Sequence, residues 1–460
     1  MSAKGRPERE LLYLGGKARS AKGAPVSALT QDCQRATVHG MLALAAAWLP
    51  GCALSPPGDL PAAAVFAPTR AVAPAIAPVA LGARSIGDGL PRAGQWRSQV
   101  AIADANGDGR LDLVLPPARK GDGRPRIFVA QPDGTWSRWA AMRQPRFRYD
   151  YGGIAALDFD GDGRLDLALG MHLQGVMAMR QQGAPGEFHD ASDGLNEGAD
   201  GKALPAGSLS LAVLQAPAGT RPRLFVAYEV QRMPGAPGAS IWDFDGTRWR
   251  RQDVLNAPRG THAFAAAGMA YYLSGAGIVR VDVHAPVLGA QLVGPLGGGR
   301  FGHALALGSN GDAFVASSIY KDKAWIRRIE RFPALMSAPD DRAVAAVATT
   351  IERGGRVPFT AVAATAGAPW GLPGEILAVG DEQGELLLYH IGPDQSARRI
   401  GEVTVASWRT RCPVSYLIWA PLTAGEPPRL VAAFSGELSA YDLEGGCESG
   451  GGVDVFAIRP

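Results

Sequence analysis

The stretch DANGDGRLDL, residues 104–113, returns 54 residues later as DFDGDGRLDL, residues 158–167. Both copies carry oxygen-bearing side chains at positions 1, 3, 5 and 9, and a glycine at position 6 that permits a sharp turn. The backbone carbonyl of position 7 can face the same centre. Hard oxygen donors at this spacing are typical of Ca²⁺ sites, which take about 6–8 oxygen ligands. The predicted ligands are Asp104, Asn106, Asp108, the Arg110 carbonyl and Asp112 in the first loop, and Asp158, Asp160, Asp162, the Arg164 carbonyl and Asp166 in the second.

The residues that follow each loop distinguish it from an EF-hand. An EF-hand needs a bidentate glutamate at position 12 and flanking helices. Position 12 is Leu115 in the first loop and Leu169 in the second. Both leucines lie in alternating segments, RLDLVLP and RLDLALG, which are typical of half-buried strands. The sequence therefore predicts two structural Ca²⁺ sites, each closing a turn between two strands.

Weaker copies of this strand–loop–strand unit continue to the end of the chain. Together with the two loops they give seven units of roughly 50 residues, the size of a four-stranded propeller blade. A repeated four-stranded sheet leaves open edges unless the units close into a ring. We therefore predict an all-β fold, with residues 96–460 forming a seven-bladed β-propeller. Six or eight blades stay open as alternatives, because the middle units are poorly delimited. The weaker copies are residues 210–228, 268–283, 300–317, 374–391 and 428–443.

The two acidic loops resemble the FG-GAP or VCBS repeat, whose calcium loop joins two strands in integrin-like propellers. The segment FGHALALGSNGD, residues 301–312, is similar to the opening of that family. An offset of 150 residues places Gly308 and Ala316 of this copy where ligands are expected, so no metal is predicted there. The resemblance covers residues 96–200 well and the rest loosely. It implies a calcium-stabilised propeller and does not specify a substrate.

The beginning of the chain is typical of an exported protein. Residues 41–52, MLALAAAWLPGC, hold an apolar run of about nine residues, whereas a bilayer span needs roughly 20. Residues 1–51 are therefore predicted to be an export signal. The segment before the apolar run is longer than usual, and a start of translation close to Met41 would explain its length. The ending is similar to a bacterial lipobox, which implies cleavage before Cys52 and lipidation of that cysteine. A buried apolar segment with an incidental cysteine is the alternative.

Residues 52–95 are rich in proline and alanine and carry almost no charge. Such a stretch is predicted to act as a semi-rigid tether between the lipid and the propeller. By resemblance, Ala53 after the cysteine implies an outer-membrane lipoprotein. Its body would face either the periplasm or the exterior.

The cysteines of the body suggest one covalent link. Cys412 and Cys447 lie in the last unit, and neither is part of a CxxC motif. In an oxidising compartment an even pair favours a disulfide. Two free buried cysteines are the alternative.

Charge and motifs narrow the function classes. The formal net charge is +3, from 46 basic and 43 acidic residues, and no long basic run occurs, so a nucleic-acid partner is not predicted. The seven histidines show no HxH or HExxH spacing, and neither a GxSxG elbow nor a Walker loop is present. Enzymatic activity is therefore less favoured than binding.

These observations favour a non-catalytic, calcium-stabilised propeller lipoprotein that binds a protein or acts as a scaffold at the bacterial envelope. The alternative is a propeller that binds or cleaves polysaccharide, as a lectin or a lyase. That alternative needs carboxylates and exposed tryptophans on one rim. A quinoprotein-like dehydrogenase is a third and more remote option.

Overall fold

Short strands joined by turns make up nearly all of the described chain. The computed structural model describes residues 80–119, 123–172, 174–197, 206–215, 220–231, 237–321, 324–337, 357–405, 412–435, 447 and 451–460. The predicted export signal, Cys52 and the first part of the predicted tether lie outside these residues. In the part of the chain that is described, no helix has the length and apolar character needed to cross a membrane.

Seven antiparallel sheets follow one another along the chain, and we number them as blades 1 to 7. The first strand, β1 (Gly82–Ser85), precedes blade 1. Blade 1 consists of β2 (Ala101–Ala103), β3 (Asp112–Leu115), β4 (Arg126–Ala130) and β5 (Trp136–Arg138). Blade 2 consists of β6 (Gly152–Leu157), β7 (Asp166–Met171), β8 (Gly175–Gln181) and β9 (Phe188–Asp190).

The middle of the chain contributes blades 3 and 4 and a small additional sheet. The additional sheet pairs β10 (Ala206–Gly207) with β13 (Val230–Gln231). Blade 3 consists of β11 (Ser210–Leu214), β12 (Arg223–Ala227), β14 (Ala239–Phe244) and β15 (Trp249–Asp253). Blade 4 consists of β16 (Gly260–Ala266), β17 (Met269–Ser274), β18 (Gly277–Asp282) and β19 (Ala290–Pro295).

The last third of the chain forms blades 5 to 7. Blade 5 has three described strands, β20 (Arg300–Leu307), β21 (Ala313–Lys321) and β22 (Ala324–Phe332). Blade 6 consists of β23 (Phe359–Ala366), β24 (Glu375–Asp381), β25 (Leu386–Ile391) and β26 (Ala397–Glu402). Blade 7 contains β27 (Val414–Ala420), β28 (Arg429–Ser435) and β29 (Gly451–Arg459). Two single-turn 3₁₀ helices are Leu335–Ser337 and Ala368–Trp370.

Blade 7 is completed by the N-terminal strand β1. β1 pairs antiparallel with β29, from Gly82 opposite Arg459 to Ser85 opposite Phe456. The sequence interpretation placed these residues in the tether of 52–95, and the folded body therefore begins earlier than the predicted residue 96. The sequence GARS shows no apolar alternation of its own. Its strand conformation comes from the long, buried partner β29, which supplies the ladder.

The hydrophobic core is divided into seven clusters, each between two consecutive blades, the last between blades 7 and 1. Each sheet is buried on both faces, because successive side chains of a strand point to opposite faces. Leu113, for example, packs between blades 7 and 1, whereas the next residue, Val114, packs between blades 1 and 2. The described residues therefore form a closed seven-bladed β-propeller, as the repeat count predicted.

From blade 1 to blade 7 the first strands of consecutive blades lie next to one another, which makes them the innermost strands. We call the face at which these innermost strands begin the upper face. We call the face at which they end the lower face. Both acidic loops connect a first strand to a second strand, so they lie on the lower face.

Candidate metal centre

Each acidic loop is organised by the aspartate at its first position. Asp104 Oδ1 accepts hydrogen bonds from the backbone N–H groups of Gly107 and Asp108, at 2.8 and 3.1 Å, and its Oδ2 accepts one from Gly109 at 2.8 Å. Gly107 and Gly109 have φ values of 75° and 84°, a region that side chains rarely adopt. The two glycines thus let the loop curl around its first carboxylate.

The second loop repeats this geometry closely. Asp158 Oδ1 accepts from Gly161 and Asp162, at 2.7 and 3.1 Å, and Oδ2 accepts from Gly163 at 2.8 Å. Its glycines have φ values of 79° and 83°. Two loops in different blades therefore adopt the same conformation because they share the same sequence pattern.

The aspartate at position 9 attaches each loop to the blade. Asp166 is fully buried, and its carboxylate accepts from the backbone N–H of Phe159 at 3.2 Å and of Gln181 at 2.8 Å. Asp112 is equally buried and accepts from Ala105 at 3.0 Å and Ala130 at 2.9 Å. Each carboxylate therefore joins the loop to the third strand of its sheet.

The electrostatics of the second loop favour a bound cation. The pKa of Asp166 is raised to about 8, chiefly by burial and also by the charges of Asp160 and Asp162, against the opposing effect of the backbone hydrogen bonds. Burial likewise raises the pKa of Asp112. A divalent cation at the centre would stabilise these carboxylates in their charged form.

The structure brings three of the predicted ligands together in the second loop. Carboxylate oxygens of Asp158, Asp160 and Asp166 all lie within 4.8 Å of one another. In the first loop Asn106 stands at the position of Asp160, and its amide donates to Asp108 Oδ2 at 2.8 Å. The oxygen-only donor set fits Ca²⁺. The carbonyls of Arg110 and Arg164 stay predicted ligands.

Arginines accompany the loop carboxylates, a feature that the sequence interpretation did not include. Arg110 Nη2 lies 2.6 Å from Asp108 Oδ2, and Arg164 Nε lies 3.5 Å from Asp162 Oδ2. The backbone N–H of Arg110, followed by the Asn106 amide, lowers the pKa of Asp108. The Arg110 and Arg164 pairs follow from the sequence, because each arginine lies two residues after its aspartate. Arg180 Nη1 lies 3.4 Å from Asp160 Oδ2. This arginine is in β8, 20 residues after the aspartate, so the loop sequence does not predict the pair.

The unit of residues 300–317, in blade 5, has a shorter loop than the offset of 150 residues implies. Leu157 lies opposite Asp166 in blade 2, whereas Leu307 lies opposite Ala313 in blade 5. The loop is therefore three residues shorter. Asp312 is buried against Arg331, whose Nε donates to Asp312 Oδ2 at 2.6 Å. In blade 5 the guanidinium of Arg331 therefore neutralises the buried carboxylate of Asp312.

The predicted cysteine pair lies in blade 7. Cys412 and Cys447 are joined by a disulfide, with their Cα atoms 4.5 Å apart. Both cysteines are buried in the cluster between blades 6 and 7. The bond ties the segment before β27 to the segment before β29. The predicted lipidation site, Cys52, is outside the described residues.

A second polar cluster lies on the upper face, around Tyr151. The ring of His172 stacks on that of Tyr151 with centroids 4.8 Å apart, and His172 Nδ1 lies 3.5 Å from Glu229 Oε2. The guanidinium carbons of Arg97 and Arg119 lie 5.5 and 5.4 Å from the centroid of the Tyr151 ring. Burial raises the pKa of Glu229, against the opposing effect of His172. No sequence motif marks this cluster, because its members come from three blades.

Polar residues near the start of the innermost strands link neighbouring blades. The pairing of the first two strands is shifted at this point in blades 4 to 7, leaving His262, His303, Thr360 and Ser415 out of register. Thr360 Oγ1 donates to the carbonyl of Val414 at 2.6 Å, and Ser415 Oγ donates to the carbonyl of Trp96. Bulges of this kind redirect side chains and are frequent near functional sites. Here they let Thr360 and Ser415 bond to the backbone of the next blade.

Comparison with known proteins places the two loops in a family. Residues 104–169 match the model of the FG-GAP-like repeat. This segment runs from the first ligand position of loop one into β7, and it includes both predicted sites. The protein is therefore a seven-bladed β-propeller that contains FG-GAP-like repeats. Among curated proteins no match was found.

Solved structures similar to this chain have low sequence identity to it. BBS1N, in a crystal structure of its complex with ARL6DN, is 14% identical with a TM-score of 0.47, covering 81% of this chain and 97% of that chain. The Dos1 propeller is 10% identical with a TM-score of 0.44, covering 82% and 94%. The extracellular domain of the putative one-component system BT4673 from B. thetaiotaomicron is 9% identical with a TM-score of 0.45, covering 80% and 39%.

Proposed function

We propose that this protein is a calcium-stabilised propeller lipoprotein that binds a protein partner, or scaffolds an assembly, at the bacterial envelope. The observation that carries the calcium part is the carboxylate cluster of the second loop, where Asp158, Asp160 and Asp166 converge. The binding part is supported by the propeller fold with its FG-GAP-like repeat. Location at the envelope is supported by the apolar run that ends in Leu-Pro-Gly-Cys at Cys52.

Calcium has a structural role in this proposal. Each loop connects the first strand of a blade to the second, so a bound ion would hold the innermost strand against its neighbour. Ligand binding to the folded state alone stabilises it by about 2.7 kcal/mol when the free ligand is at 100 times its Kd. Calcium would thereby keep the upper and lower faces in the shape that a partner recognises.

The lipid anchor can be tested on the chain itself. Cys52→Ser should prevent lipidation and release the protein from the membrane fraction, whereas Cys33→Ser should leave it there. Mass spectrometry of the mature N-terminus would show a diacylated Cys52 in the wild type. A mature chain with an unmodified residue 52 would contradict this part of the proposal.

The partner is tested by cross-linking the native protein in membranes and purifying it, once with calcium and once with a chelator. The proposal predicts a stoichiometric protein partner that is lost on chelation. Recovery of no protein in either condition would contradict the scaffold role. In that case recovery of a glycan would favour the alternative, a polysaccharide-binding or polysaccharide-cleaving propeller.

A further inference from the structure

A small cavity opens on the upper face, at the mouth of the central channel. Its volume is about 60 Å³, and residues near the start of the innermost strands of blades 1, 3, 4 and 7 contribute to its wall. A water molecule occupies about 30 Å³ of liquid. The cavity therefore has room for one carboxylate group, and it is too small for a sugar ring. Its wall includes Arg97, Ser98, Gln99, Ser210, His262 and Ser415.

The charge of this cavity favours an anion. Among the described residues that line it there is no carboxylate, and Arg97 brings a guanidinium. The guanidinium groups of Arg97 and Arg119 both approach the ring of Tyr151. The nearby acids, Asp150 and Glu229, raise the pKa of Tyr151 from outside the cavity, and Glu229 is paired with His172.

The polar groups of the wall add hydrogen-bond donors. Ser98 is buried, and its Oγ has no hydrogen-bond partner in the described structure. Gln99 Oε1 already accepts from the backbone N–H of Leu211 at 3.0 Å, so its amide N–H₂ is the group that can donate. Burial lowers the pKa of His262 to about 4, which keeps that imidazole neutral. A guanidinium, a hydroxyl and an amide are the donors that oxyanion recognition uses.

We propose that this cavity receives a carboxylate from a partner protein, presented by an acidic side chain or by a chain terminus. This inference rests on the proposed protein-binding function and names the surface that performs it. An acidic side chain brings its carboxylate on a flexible stem, which can reach into a cavity of this size. Arg97 holds the anion, and Ser98 and Gln99 fix its orientation.

An exposed aromatic cluster on the same face supports a protein as the occupant. Phe301 and Tyr320 are 54% and 56% exposed, although large aromatic side chains are usually buried. The ring centroid of Trp325 lies 5.8 Å from that of Phe301 and 5.2 Å from that of Tyr320, with interplanar angles of 71° and 55°. Aromatic residues and arginines are enriched at protein interfaces.

The test uses a capped tri-glutamate peptide as the probe, with the matching tri-glutamine peptide as its control. Binding to residues 80–460 in saturating calcium is measured by titration calorimetry at low salt. We expect binding of the glutamate peptide alone, weakened at least tenfold by Arg97→Gln and measurably by Ser98→Ala. Arg221→Gln, an exposed arginine on the lower face, should leave the affinity unchanged, and thermal unfolding verifies that each variant folds.

Equal affinity for both peptides, or unchanged affinity in Arg97→Gln and Ser98→Ala, would overturn the inference. Binding of oligogalacturonate without binding of the peptide would overturn the choice of a protein as the occupant. Arg97→Gln should also reduce capture of the partner in the membrane cross-linking experiment. Full capture by this variant would overturn the inference while leaving the proposed function intact, whereas failure of the wild type to capture any protein would count against that function.

Discussion

At the scale of single residues, one carboxylate in each loop has two roles, in the fold and in the predicted metal site. Asp112 and Asp166 are buried, and each accepts two backbone hydrogen bonds that connect the loop to the sheet. The same side chains are predicted to bind Ca²⁺. Burial of a carboxylate beside other carboxylates is unfavourable without a compensating charge. The loops therefore place their least stable charges where a cation would have the largest effect.

We expect Asp166→Asn to remove the calcium response of the second loop. Calcium should raise the Tm of wild-type residues 80–460 by several degrees, and the variant should keep about half of that rise, through the first loop. Asp312→Asn is the matched control, because Asp312 is a buried aspartate whose partner is Arg331. The control should lower the Tm and keep the full calcium response. A full response in Asp166→Asn would contradict the assigned role of Asp166.

His262 and His303 make stability depend on pH. Burial lowers the pKa of both to about 4, from the usual 6.5 of histidine, and the charge of His303 also lowers the pKa of His262. At pH values between about 4 and 6.5 the unfolded chain binds protons that the folded chain does not. The free energy of unfolding therefore decreases as pH falls through this range. His262→Gln/His303→Gln should lose less stability than the wild type between pH 7 and 4.5, in saturating calcium. Parallel curves of Tm against pH would contradict this.

At the scale of elements, the outer strand of blade 7 comes from the opposite end of the chain. β1 pairs with β29, and just before it the backbone N–H of Leu81 donates to the carbonyl of Ile400 in blade 6. Leu81 is itself buried between blades 6 and 7. The N-terminal strand thus closes the ring by hydrogen bonds and by apolar contact.

Removing β1 should therefore weaken closure. We expect a chain of residues 96–460 to unfold at a lower urea concentration than a chain of residues 80–460. The shorter chain lacks the β1 pairing on the outer edge of β29 and the apolar contacts of Leu81. Urea unfolding followed by tryptophan fluorescence measures the difference. Equal midpoints would mean that β1 does not contribute to closure.

The disulfide in blade 7 is the covalent counterpart of this closure. Cys412 and Cys447 are separated by 35 positions in the sequence. In the loop-entropy model, a link that closes a loop of this length stabilises the fold by about 3–4 kcal/mol. We expect Cys412→Ser/Cys447→Ser to lower the Tm in the absence of reductant. Reductant should lower the wild-type Tm towards that of the variant. An unchanged wild-type transition on reduction would contradict a stabilising bridge.

The sequence predicted those elements whose signals are local. The loops of residues 104–112 and 158–166 were visible because their ligand spacing and glycines are contiguous, and alternation revealed the buried strands around them. β1 was missed because its strand conformation depends on β29, more than 360 residues away in sequence. The Tyr151 cluster was missed for the same physical reason, since several blades contribute to it.

At the scale of the whole molecule, the two faces of the ring have different chemistry. The lower face carries the acidic loops of blades 1 and 2. The upper face carries the guanidinium groups of Arg97 and Arg119, the channel mouth and the exposed rings of blade 5. In our account the lower face binds calcium and stabilises the ring, and the upper face meets the partner.

The measurement that tests the central claim most directly is the calcium stoichiometry of metal-free residues 80–460. Titration calorimetry should show two Ca²⁺ per chain in the wild type, one in Asp166→Asn, and none when Asp112→Asn is added. Mg²⁺, which prefers a tighter octahedral shell, should bind more weakly. No calcium binding by the wild type, or two ions still bound by the double variant, would contradict the claim that these two loops are metal sites.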